Sequence, residues 1–181
     1  MNQETVLERL ERFEGCVPYM YRCTGGAVTA GIGHALPTAG DAISLPWEIA
    51  GRRASTAEIT ADFAKISESP LGLPAAHYEP LTTCRLPEAC LPGLAVADIA
   101  RFEGYLEKRF PQWSSFPEPA QEGLFDMAFN LGMAGLRKFP RFLAAVEAGN
   151  WQIAADECRR LGIAPERNQE IAGLFRQAIR T

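Results

Sequence analysis

Phe13-Glu14-Gly15 and, six residues on, Tyr21-Arg22-Cys23-Thr24-Gly25-Gly26-Ala27-Val28-Thr29-Ala30-Gly31-Ile32-Gly33-His34 decide how this chain reads. Upstream, Val6, Leu7, Leu10 and Phe13 make one apolar stripe, so residues 2–14 are expected to form a helix. Asn2 is its N-cap, Glu4 favours its first turn and Gly15 stops it. Glu14 follows Leu10 by four residues and falls on or beside the buried face. There it meets the negative end of the helix dipole and apolar neighbours, and both disfavour its charged form. That is the condition a general acid needs near neutral pH. The spacing of Tyr19–Cys23 and Ala27–Ile32 about Thr24-Gly25-Gly26 predicts an antiparallel hairpin. Gly31 and Gly33 weaken its second strand and suggest close approach by another backbone or a substrate.

Downstream, Leu36 to Ala50 reads as loop, with Pro37, Gly40 and Pro46. A helix over residues 55–68 starts at Ser55 or Thr56 with Glu58 behind it. Pro70 to Pro92 is irregular and reads as a connection between lobes. The rest is helical: Ala95 to Phe110, then Ala120 to Leu131, nearly apolar all round and hence the central buried helix, then Phe139 to Ala148, Gln152 to Leu161 and Pro165 to about Ile179. Phe125, Met127 and Phe129 are expected to serve as core. Tyr19 and Tyr21 suit either hairpin packing or stacking on sugar rings.

A chain of 181 residues, 47% hydrophobic and 22% charged, is sized for one domain with a substantial core. No segment has the apolar length of a membrane span, and the N-terminus lacks the order of a signal peptide. The expectation is synthesis in the cytoplasm, with export by other means if the protein acts outside. Net charge is −4, with 7 Lys/Arg against 12 Asp/Glu in residues 1–100 and 11 against 10 in residues 101–181. Nucleic acid, which needs a concentrated basic footprint, is thereby disfavoured as a partner. Cys16, Cys23, Cys84, Cys90 and Cys158 form no metal signature. Cys84 and Cys90 could close a small disulfide loop in an oxidising compartment, whereas reduced thiols are the cytosolic default.

Cleaving a glycoside with inversion takes an acid for the leaving oxygen and, across the cleft, a group that positions or deprotonates water. Glu14 supplies the first. Cys23 and Thr29, near each other on adjacent strands of the expected hairpin, are the candidates for the second. At these residues the sequence resembles the phage-type lysozymes, the endolysin muramidases. The shared pattern is Glu14-Gly15, Tyr21, Thr24, Gly26, Thr29 and Gly31-Ile32-Gly33-His34. Phe129-Asn130-Leu131-Gly132 resembles the family's central-helix motif, and Pro165-Glu166-Arg167-Asn168 its terminal helix start. The resemblance implies an α+β lysozyme-like fold, mostly helical with a small antiparallel β lobe and a cleft. The expected lobes are residues 15–70 on one side and residues 95–181 with 1–14 on the other. It further implies that Glu14 is the general acid and that Thr29 positions water. Arg167 would pair with Glu14, while Tyr21, Gly33, Asn130, Gly132 and Arg167 would serve the substrate.

Cys23 departs from the family, which has an aspartate there. A thiol is a poorer base and a weaker hydrogen-bond partner. Three readings stay open: Cys23 helps hold water beside Thr29, Asp41 folds over as the second carboxylate, or activity is lost. The flanks also resemble lysozyme-like toxins delivered by type VI secretion, which would add a cognate immunity protein to the peptidoglycan glycan strands as a partner. Release by a holin fits equally. Neither cofactor nor metal is expected, and a monomer is. Two rivals remain: a Cys23–His34 peptidase or amidase of wall peptides, and a glycan-binding module without turnover.

Overall fold

The structure is a computed structural model that describes residues 1–23 and 25–180; Thr24, part of the hairpin motif, lies outside the described residues. It is α+β: mainly helical, with a three-stranded antiparallel sheet and a second sheet of two strands. Two compact units are formed, one from Leu7–Asp98 and the other from Met1–Val6 with Ile99–Thr181.

Helix α1 (Gln3–Glu14) begins as its sequence dictates, with Asn2 Oδ1 accepting from the Glu4 and Thr5 amides at 3.0 and 3.3 Å. Val6 and Leu10 are buried. Gly15, at φ +70°, ends the helix in the left-handed conformation and turns the chain into β1 (Val17–Arg22). β1 pairs with β2 (Val28–Gly31), and β2 pairs in turn with β3 (His34–Leu36). Three residues carry too little alternation for β3 to have been read from sequence.

A helix and a strand occupy the stretch expected to be loop, and a further strand follows it. Helix α2 (Ala39–Ile43) is capped reciprocally by Thr38 and Asp41, a local bond pattern that outweighs Pro37 and Gly40. The strands β4 (Glu48–Ile49) and β5 (Arg52–Arg53) turn at Ala50 and Gly51, both at positive φ. Helix α3 (Thr56–Glu68) starts where Ser55 and Glu58 predict, and its capping box is complete. Hydrogen bonds from Arg52 and Ser55 hold the Glu58 carboxyl down to about 2. The stability this lends is complete above the ordinary glutamate range and disappears as pH falls through about 2. Urea titrations from pH 6 to pH 2 should show Glu58→Gln flattening part of the acid limb.

The stretch with five prolines, expected as a connection, supplies core instead. Tyr78, Cys84 and Leu86 are buried with Met20, Trp47, Ile59 and Ile66. The Asp62 carboxylate draws the stretch in, accepting from the Thr83 and Cys84 amides at 2.7 and 2.8 Å, and Tyr78 donates to the Pro70 carbonyl. All five cysteines are free thiols, and burial with Asp62 pushes Cys84 up to about 12.

The second unit holds most of α4 (Leu91–Arg109), then α5 (Glu118–Leu136), α6 (Pro140–Glu147), α7 (Trp151–Glu157) and α8 (Pro165–Gln177). As the nearly apolar pattern predicts, every residue from Ala120 to Ala128 is buried, Gln121, Glu122 and Asp126 among them. Gly123 has no Cβ because Phe175 packs there: an added one would lie 2.9 Å from its Cζ. The helix breaks at Gly132, whose φ of 66° and ψ of 163° are open to glycine at little cost. No helix among the described residues is long and apolar enough to cross a membrane.

Candidate active site

Glu14 is the last residue of α1, half-buried, and the Gly15 turn sends β1 back past it. Along the hairpin Tyr21 pairs with Thr29 and Arg22 with Val28, while the Cys23 amide donates to the Ala27 carbonyl at 3.0 Å. Side chains alternate between faces of a strand. Tyr21, Cys23 and Thr29 therefore share one face, and Val28 and Ala30 point from the other into the core. Cys23 and Thr29 are diagonal neighbours on that face, roughly 7–8 Å apart between Cα atoms.

Glu14 is coupled electrostatically to this face through Tyr21. The Tyr21 phenol is pushed well above its ordinary value, first by burial, then by the Glu14 carboxylate and the Cys23 thiol. The buried phenol thus feels both the acid and the thiol. Thr29 is 3% exposed, and its hydroxyl donates to the Ala27 carbonyl at 3.2 Å. With its proton committed there, the Thr29 oxygen keeps lone pairs to accept a hydrogen from water.

Arg22 fastens the hairpin tip. Its Nε donates to the Gly26 carbonyl at 3.2 Å and its Nη1 to the Ser69 carbonyl past the end of α3. Gly26 sits at φ +91° and its amide closes the turn onto the Cys23 carbonyl. Gly33, also at positive φ, forms the next turn.

Asp41 is committed elsewhere: its Oδ2 accepts from the Thr38 amide at 2.8 Å and from the Thr38 hydroxyl at 2.6 Å. Those hydrogen bonds hold its carboxyl below the usual range. His34 pairs with Ala30 and so stands on the face opposite Cys23. Its Nδ1 lies 2.7 Å from Oδ2 of Asp98, a buried carboxylate 64 residues on.

In the other unit, Arg167 is buried and donates through Nε and Nη2 to both oxygens of Asp126. Arg160 binds the same carboxylate through Nη1 at 2.8 Å and the Asn130 Oδ1 at 3.1 Å. Asn130 and Gly132 stand at the break in α5, and a Cβ on Gly132 would meet nothing within 4 Å. Asp126, Arg160 and Asp98 were not singled out from the sequence. Asp126 left a trace there, a charge amid the apolar run of the central helix. No cluster of three or more His, Cys, Asp or Glu among the described residues is placed to hold a metal ion.

The mainly helical α+β scaffold with its small antiparallel sheet is that of the lysozyme-like fold class. The sequence carries the identification further: the family model described as phage lysozyme matches residues 11–180, nearly the whole chain. The chain belongs to the phage lysozyme family, and with it to the hydrolases of peptidoglycan. No match was found among curated proteins.

Proposed function

We propose that the chain hydrolyses the β-1,4 bond between N-acetylmuramic acid and N-acetylglucosamine, with Glu14 as general acid and with inversion. The observation that carries this reading is that Tyr21, paired across the hairpin with Thr29, is raised by both Glu14 and Cys23 as well as by burial. Protonated Glu14 gives its proton to the glycosidic oxygen as the bond to the muramic anomeric carbon breaks. Water attacks that carbon from the opposite face, oriented by the Thr29 oxygen and the Cys23 sulfur, and sheds its proton to solvent. Asp41, engaged with Thr38, is a poor second carboxylate by this reading. Tyr21, Gly33, Asn130, Gly132 and Arg167 are assigned to substrate and acid positioning, and the product would be a lysed wall after holin release or secretion.

Mass spectrometry of digested peptidoglycan tests the bond: new reducing muramic ends support the reading, and cleaved stem peptides overturn it. For the water site, Thr29→Ala should lower kcat roughly 10- to 100-fold with KM little changed. Cys23→Asp should raise kcat, because a carboxylate is the better base at neutral pH. Equal rates in all three proteins would remove both residues from the mechanism.

A further inference from the structure

A cavity of about 510 Å³ opens between the end of α7, the loop after it and the first turns of α8. Its size is that of a ligand pocket, and none of its lining residues has a role in the glycan chemistry above. Arg159, Arg160 and Arg176 line it with one carboxylate, Asp156, so the wall carries two positive charges in excess on a chain of net charge −4.

The three arginines differ. Arg160 is 2% exposed, and its Nε and Nη2 have no hydrogen-bond partner among the described residues. Three of its five N–H donors are thus unused, while its Nη1 is held by Asp126 behind the wall. Arg159 is exposed, with no ion-pair or hydrogen-bond partner among the described residues. Arg176 reaches Asp156 only at 3.9 Å, both more than half exposed, a contact of little worth. The wall is preformed: Asn168 accepts from the Arg160 amide at 3.1 Å and donates to its carbonyl at 2.9 Å. Pro165 at the start of α8 also lines the cavity, which adds the positive end of a helix dipole.

The lining is amphipathic as well. Leu161 is 90% exposed, with Ile163 beside it on the wall. A single inorganic anion would fill a small part of the space and leave Leu161 in water. We propose that this cavity binds an acidic peptide segment of a protein partner, its carboxylates on Arg159 and Arg176 and an apolar side chain over Leu161.

Calorimetric titration of the full chain with the acetylated, amidated peptide Glu-Leu-Glu-Glu, beside inorganic phosphate, tests it. The expected Kd for the peptide is about 0.1–1 mM at low salt. Arg159→Glu with Arg176→Glu should weaken it at least tenfold, and Leu161→Ser severalfold at unchanged charge. Phosphate binding as tight as the peptide would reduce the feature to a small-anion site and overturn the proposal. So would peptide binding that is undetectable, or unaltered in the double variant. Glu14→Gln should bind the peptide like the parent, so the outcome stands apart from the muramidase reading.

Discussion

Glu14→Gln should lose about 10²- to 10⁴-fold in kcat on peptidoglycan, the contribution of a positioned general acid. The amide keeps the size and the hydrogen-bonding reach of the carboxyl but has no acidic proton for the leaving oxygen. In free energy the loss is about 2.7–5.4 kcal/mol of barrier. Reducing-end release and turbidity clearing should fall together, while circular dichroism and cooperative thermal unfolding persist. Full activity in this variant would sink the assignment of the acid. Residual turnover that rises on adding Cys23→Asp would instead support the water site proposed across the hairpin.

The second large effect concerns stability. Asp126 is 2% exposed at its side chain and is the carboxylate for two buried guanidiniums, Arg160 and Arg167. Asp126→Asn removes the carboxylate that both guanidiniums share in a low-dielectric interior, at a cost of about 3–5 kcal/mol. For a chain of this size that should lower the melting temperature by about 6–20 °C. Arg160→Met should behave differently. Burial already disfavours the Arg160 cation, pushing it below its ordinary value against the pull of Asp126. Its replacement keeps the Asp126–Arg167 pair and removes donors that lack partners, so the cost should be about 1 kcal/mol or less. Comparable losses in the two variants, followed by differential scanning calorimetry, would show that the carboxylate is not the centre of the network.

Much of the fold was legible because its signals are local. The Asn2 cap and the Val6–Leu10 stripe announce α1 within one span of residues. The Ser55–Glu58 box announces α3, and the nearly apolar run to Leu131 announces the buried part of α5. The hairpin was equally readable from its turn glycines, though its register was not: Thr29 stands opposite Tyr21 and only diagonally from Cys23. Short elements escaped. β3 is three residues long, and α2 rests on a capping box within a sequence dominated by turn formers. The stretch from Pro70 to Pro92 read as a connection because prolines set its backbone, yet Asp62 and the core make it interior.

From residue order alone came the lysozyme-like class, the starts of α1, α3 and α8, the hairpin and the choice of Glu14, since each is written within about a dozen neighbouring residues or in a family's motif. Packing alone decided that Arg167 and Arg160 share Asp126, that His34 turns to Asp98, and that three arginines line one cavity. Those partners lie 41, 34 and 64 residues apart in the two networks. A charged side chain can name the kind of partner it needs; which one it meets depends on how the chain closes around it, where removal from water makes an unmet charge costly.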